Sequence, residues 1–189
     1  MRVAELVGRV VAERGAGHAF GVVGSGNFAV TNALIANGVP FLAARHEGGA
    51  ATMADAYART SGSVGVLSVH QGCGLSNAMT GIAEAAKSRT PLLVLAADVA
   101  AAAVQSNFRI DQDALVRSVG AVADRVHSPA SALADVDRAF RTAHHERRTV
   151  VLNLPLDVQA AEVEEPGRLD LLPPARRGGP DPASARALA

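Results

Sequence analysis

Val3, Leu6, Val7, Val10 and Val11 fall on one helical face, and Gly15 follows as a natural stop. Ala19 to Val23 is a short apolar run with the length of a buried strand, and Gly24-Ser25-Gly26-Asn27 supplies a turn. Phe28 to Ala36 is helical in pattern, and Asn37-Gly38 closes it. The same alternation continues. Strands are predicted over 41–44, 64–69, 92–96, 122–126 and 149–154, and helices over 48–60, 76–87 and 130–144. Residues 98–113 have no clear period. Strands that are apolar throughout, alternating with helices, predict an α/β fold. Its parallel sheet has about six strands covered by helices on both faces, a three-layer α/β/α arrangement.

The pattern fades after Pro155. Leu171-Leu172-Pro173-Pro174 and Gly178-Gly179-Pro180 have linker composition. Asp181-Pro182 then has the chemistry of an N-cap and a first helical position. The expectation is one domain over residues 1–160, with 161–189 as a linker and the start of a truncated second domain. No internal repeat is present.

Composition narrows the function classes. Of 189 residues, 49% are hydrophobic and 19% charged, enough apolar material for a core. The formal net charge is zero and aromatics are 3%, which argues against nucleic acid or an anionic membrane surface as a partner. The single cysteine, Cys73, excludes an internal disulfide and suits a reducing compartment, so a cytoplasmic location is expected. No apolar run approaches the roughly 18 residues that would span a bilayer.

Two features carry chemistry. Gly24-Ser25-Gly26-Asn27-Phe28-Ala29 fits a G-x-G-x-x-G/A dinucleotide fingerprint between a strand and a helix. An acid, Glu47, lies roughly 20 residues further on, as a Rossmann-type NAD(P) unit would require. Against that reading, a whole helix precedes the first strand, and Arg45 and His46 separate Glu47 from the strand end. A tight strand–helix turn explains the glycines equally well. The second feature is Glu47 itself, placed where a strand ends and a helix begins, the ligand-binding edge of an open α/β sheet. The glycines and alanines after it suggest that another chain or a flat ligand packs close to the backbone.

Taken together, these segments resemble a known family. Ala19 to Gly26, the run Arg45-His46-Glu47-Gly48-Gly49-Ala50-Ala51 through Arg59, and Gly72-Cys73-Gly74-Leu75-Ser76-Asn77-Ala78-Met79 are similar to the pyrimidine-binding domain of thiamine-diphosphate enzymes. These are the acetolactate synthase, pyruvate decarboxylase and benzoylformate decarboxylase superfamily. Cys73 stands where the family's G-P-G-x-x-N loop has proline. Thr90 to Leu95 and Val150 to Gln159 resemble its later strands, so the likeness runs over about residues 1 to 160.

The resemblance implies a role for the carboxylate. In the family, a glutamate bonds the pyrimidine N1′ of thiamine diphosphate. It thereby favours the imino tautomer, whose nitrogen takes the proton from the thiazolium C2. A group that shares a proton works best with a pKa near the working pH. Burial raises a carboxyl pKa, whereas a helix N-terminus lowers it. The residues after Glu47 bring no countercharge, while Arg45 and His46 would if they turned inward. The resemblance gives Glu47, His70 and Ser25 as candidate catalytic residues. It gives Glu47, Gly24, Gly72, Gly74 and Asn77 as the cofactor-binding set. Ser25 and His70 sit where the benzoylformate decarboxylase-like branch places substrate-contacting residues, and Gln71 is an alternative polar contact. The plainer roles are a loop-capping His70 and helix N-caps at Ser25 and Asn27. Cys73 is expected to be inert packing, and His144-His145 a surface pair rather than a metal site.

The family's G-D-G and paired-asparagine segment, which holds Mg²⁺ and the diphosphate, does not occur in this sequence, so no metal site is expected in this chain. The resemblance then implies a 2-oxo acid substrate, a diphosphate-binding domain in a longer chain or a second subunit, a homodimer or tetramer, and no activity from this chain alone. Two other readings stay open: the NAD(P)-binding domain, and a non-catalytic module dimerising through the helices after Glu47 and Gly74.

Overall fold

A computed structural model describes residues 1–169, 171, 186 and 187. Helix α1 (Val3–Glu13) leads into β1 (Ala19–Gly21), α2 (Phe28–Ala36), β2 (Phe41–Ala43) and α3 (Glu47–Ser61). β3 (Gly65–Val69), α4 (Cys73–Lys87), β4 (Leu92–Asp98) and α5 (Gln112–Ser118) follow. β5 (Val122–Arg125), α6 (Ala132–His145), β6 (Thr149–Pro155) and α7 (Leu156–Ala160) complete the order. The six strands form one sheet in the order β2-β1-β3-β4-β6-β5, and every pairing is parallel. The expected three-layer α/β/α architecture is present.

The strand pleat divides the core. Val66, Leu93, Leu95, Val150 and Leu152 face α1, α2 and α6, packing with Val7, Val10, Leu34, Val136 and Phe140. Leu67, Val69, Leu92, Val94 and Val151 face the other way, against Ala50, Ala54, Leu75, Ile82 and Val116 of α3, α4 and α5. Alternate residues of a strand point to opposite faces, so only uniformly apolar strands can serve two helical layers. The two edge strands are exceptions: Leu42 of β2 remains 43% exposed, and β5 is half-buried and carries Asp124 and Arg125.

Some boundaries differ from the sequence expectation. β1 stops at Gly21, two residues early, because Val22 and Val23 belong to the loop. α4 starts at Cys73 rather than Ser76. Gly72, at φ 63°, reverses the chain at once after the strand. α5 begins within the last residues of the stretch that showed no period. Its N-cap is Asp111, whose side chain accepts from Ala114 N–H at 2.9 Å. Residues 161–169, where a linker was expected, lie against the sheet unit. Arg9 donates to the carbonyls of Pro166 and Gly167, both at 2.8 Å, and Leu169 is buried. The proline- and glycine-rich run and the capped helix start at Asp181 lie outside the described residues, apart from a helical pair at 186–187.

No helix among the described residues is long and apolar enough to cross a membrane.

Candidate active site at the carboxyl edge of the sheet

Chain order reverses between β1 and β3, the switch point where open α/β sheets hold ligands. Three loops meet there: 22–27 after β1, 44–46 after β2 and 70–72 after β3.

Glu47 is the first residue of α3, half-buried, and its Oε2 accepts from Asn77 Nδ2 of α4 at 3.1 Å. Its Oε1 takes no hydrogen bond from the described residues and faces Gly74, where an added Cβ would stand 3.5 Å away. His46 is the N-cap, with Nδ1 accepting from Gly48 N–H at 3.0 Å. Arg45 and His46 are both exposed, so neither turns inward on the carboxylate.

Ser25 and His70 form a second pair, Oγ to Nε2, at 3.3 Å. His70 Nδ1 lies 3.0 Å from the carbonyl oxygen of Gln71. A carbonyl only accepts, so Nδ1 carries the proton. In the neutral ring Nε2 is then the acceptor, and Ser25 O–H donates to it. Phe108 stands edge-on to the imidazole at 4.9 Å between centroids.

Two glycines let these pairs approach each other. A Cβ at Gly74 would lie 3.0 Å from His70 Cβ while also meeting Glu47 Oε1. A Cβ at Gly24 would lie 2.5 Å from His70 Cδ2. Gly72 plays a different part. It is buried, its N–H donates to Gln112 Oε1 at 2.8 Å, and its α-carbon faces the Phe108 carbonyl. Thus Glu47, Asn77, Gly74, His70, Ser25 and Gly24 come together, and Gly72 shapes the turn beneath them.

The expected N-cap role of Asn27 is corrected. Asn27 is buried and makes no side-chain cap bond. Its Oδ1 accepts from Gly24 N–H at 2.8 Å, and its Nδ2 donates to Val22 O and Ser68 Oγ, so it pins the loop that carries Ser25. Ser25 is no cap either, since Asn27 holds that position. Gln71 is 4% exposed, with Oε1 unpartnered and packed against Gly26, so its side chain is shielded from the open edge. Cys73 is exposed rather than packed.

Two of the small residues after Glu47, Gly48 and Ala51, also have a use within the chain. Gly81 packs on Ala51, and Gly48 on the Asn77 carbonyl, so they join α3 to α4 within the chain. Sequence reasoning missed Phe108 and Gln112, which lie in or beside the stretch without a period. Exposed Val104, Phe108 and Ile110 in that stretch were the available signal.

Residues 1–128 match the family of the thiamine pyrophosphate enzyme, N-terminal TPP binding domain. The chain belongs to this family. Within it, a sulfoacetaldehyde acetyltransferase of Rhodobacter capsulatus is 29% identical over 93% of this chain and 30% of its own length. A probable 2-ketoarginine decarboxylase of Pseudomonas aeruginosa is 34% identical over 82% of the chain and 29% of its own length. The acetolactate synthase large subunit of Lactococcus lactis is 32% identical over 85% and 29%. The chain therefore spans about 30% of the length of the curated relatives it matches.

As an N-terminal thiamine-pyrophosphate domain, this one fits the pyrimidine part of the cofactor. It offers a carboxylate oxygen with no partner among the described residues, and an edge from which Gly24 and Gly74 withhold side chains. The dinucleotide alternative fares worse. Gly26, which would meet a pyrophosphate, has Gln71 packed where its side chain would be. Among the described residues no group of three His, Cys, Asp or Glu is placed to hold a metal ion.

Proposed function

We propose that this chain is the pyrimidine-binding part of a thiamine-diphosphate-dependent 2-oxo acid decarboxylase or carboligase. The observation that carries the reading is the Glu47 carboxylate, oriented through Oε2 by Asn77 and left with Oε1 available. When bound, thiamine diphosphate supplies a carbon nucleophile for the 2-oxo acid carbonyl.

Glu47 accepts and shares the proton at the pyrimidine N1′. Asn77 fixes the carboxylate's rotation, so little reorganisation is needed when that proton moves. Gly24 and Gly74 keep the approach open. His70, with Nε2 at the edge and its orientation set by Ser25 and the Gln71 carbonyl, is the proton carrier toward the substrate.

Glu47 is only half-buried, and Ser25 and Asn77 are exposed, so a second surface is needed to close the site and exclude water. That surface is a diphosphate-binding domain in the same longer chain or in a second subunit, which also holds Mg²⁺. A homodimer or tetramer follows, and residues 1–189 alone are inactive. A cytoplasmic enzyme of this class suits the single thiol.

The test is carbon dioxide release from a panel of 2-oxo acids by the full-length protein, with and without thiamine diphosphate and Mg²⁺. Cofactor-dependent release, with free aldehyde or a ligated hydroxyketone as product, supports the proposal and decides between decarboxylase and carboligase. Absence of any cofactor-dependent release would overturn it.

A further inference from the structure

The carboxyl edge of the sheet carries a second cavity, of about 710 Å³, beside the candidate active site. β4 and β5 end in it, at Asp98 and Arg125, and residues 109–113, which lead into α5, form another wall. That wall is shared with the active-site turn. Phe108 stands on the His70 ring at 4.9 Å, while Gln112 lines the cavity and accepts from Gly72 N–H at 2.8 Å.

The backbone of this wall is firmly held. Gln112 is buried, and its Nε2 donates to Ala97 O at 3.1 Å and to Asn153 Oδ1 at 2.7 Å, so both ends of its amide are satisfied. The Phe108 carbonyl packs on the α-carbon of Gly72, and Arg109 N–H donates to Ser106 O at 3.0 Å. The main chain that carries Arg109 is thereby fixed to the turn that carries His70.

The Arg109 side chain, by contrast, is exposed at the cavity and takes no partner among the described residues. An exposed arginine is ordinary by itself. Here three carboxylates line the same cavity, and each is bound elsewhere. Asp98 accepts from Arg125 at 2.6 Å and from Val99 N–H at 2.8 Å. Asp113 accepts from Arg117 at 3.1 Å and from Asn153 Nδ2 at 2.8 Å. Asp111 caps α5 through Oδ1. Folding therefore leaves one guanidinium fork unused, on a rigid support, next to the turn of His70.

We propose that Arg109 is a specificity-determining residue, which binds the second carboxylate of a dicarboxylic 2-oxo acid whose reacting end lies at His70 and Glu47. The planar guanidinium presents paired donors to the two oxygens of one carboxylate. The cavity has room for the carbon chain that joins the two acid groups. A 2-oxo acid with an alkyl end would leave the fork unpaired and lay apolar surface against the Asp98–Arg125 ion pair. The inference rests on the 2-oxo acid reading above and names the substrate class within it.

The experiment has two arms, both on the full-length protein. The first is calorimetric titration, without thiamine diphosphate, with 2-oxoglutarate and with 2-oxohexanoate at matched ionic strength. Saturable binding of 2-oxoglutarate is expected. Arg109→Met should weaken it at least about tenfold, and Arg109→Lys, which keeps the charge but loses the fork, at least about threefold. Circular dichroism verifies that each variant is folded. The second arm compares kcat/KM for the same two acids in the loaded enzyme. The ratio of 2-oxoglutarate to 2-oxohexanoate should fall at least about tenfold in Arg109→Met, chiefly through KM. Arg109-dependent binding with no turnover of any 2-oxo acid would overturn the reaction reading while supporting the dicarboxylate site. No saturation by 2-oxoglutarate, an affinity that both variants leave within twofold, or an unchanged kcat/KM ratio would overturn the inference.

Discussion

Asn77 holds Glu47 by a hydrogen bond of 3.1 Å from Nδ2 to Oε2 that joins α4 to the first residue of α3, across 30 residues of sequence. The bond ties the G-x-G-x-x-N loop and helix to the glutamate segment. The close packing of α3 on α4, through Gly81 on Ala51, sets the distance. Asn77→Ala should therefore leave the fold intact and lower kcat by about tenfold or more, about 1.4 kcal/mol. An unchanged kcat in the assembled enzyme would show that the carboxylate needs no such orientation.

Gly74 separates stability from activity. An added methyl stands 3.0 Å from His70 Cβ and 3.5 Å from Glu47 Oε1. Helix propensity gains up to about 1 kcal/mol from the same change, offsetting part of the contact cost. Gly74→Ala should move the thermal midpoint by under about 4 °C while kcat/KM falls about tenfold. A variant of full activity would show that the Glu47 and His70 groups need no shared approach.

The tautomer of His70 can be read directly. The Gln71 carbonyl requires a proton on Nδ1. Ring ¹⁵N shifts should show that form in the neutral state, and it should persist in Ser25→Ala, which removes only the partner of Nε2. A neutral ring protonated on Nε2 in the wild type would contradict this geometry.

Asn27 is structural in the first instance. Replacing it with Ala leaves Gly24 N–H and Val22 C=O without partners in the loop that carries Ser25. Unfolding in urea should report a loss of about 2–3 kcal/mol. A loss below about 0.5 kcal/mol would mean that water replaces these bonds at no cost.

Acid stability has an identifiable contributor in Asp135. Burial disfavours its charged form, yet hydrogen bonds from His127 N–H, Ser131 and Arg138 outweigh that and hold its carboxyl below the usual carboxylate range. A carboxyl depressed in the folded state stabilises fully above its unfolded pKa of about 4, and that stabilisation is lost as pH falls through the folded value. Stability curves of wild type and Asp135→Asn should thus converge as pH drops below about 4. Parallel curves would assign the acid sensitivity elsewhere.

Much of the fold was legible because a parallel sheet needs strands that are apolar on both faces, and runs such as Leu92 to Ala96 are hard to place otherwise. α5 was missed because its signal is a single capping acid, Asp111, near the end of a stretch with no period. The glutamate position was legible from its segment, whereas its setting was not. The small residues after Glu47 look alike in sequence whether they receive a ligand, another chain or the neighbouring helix. The glycines at 24 and 26 fit a dinucleotide fingerprint because a tight strand–helix turn needs the same spacing. Only the side chains filling the space beside them, His70 and Gln71, separate the two meanings. Asn27 could not be told from a helix cap, since both uses place the residue at the same point of the chain.

The most direct measurement is the rate of proton–deuterium exchange at the thiazolium C2 of thiamine diphosphate bound to the full-length protein, compared with its Glu47→Gln variant. If Glu47 activates the aminopyrimidine, exchange should slow by at least about 100-fold while the variant still binds the cofactor and keeps its fold. Equal exchange rates in the two proteins would contradict the role assigned to Glu47.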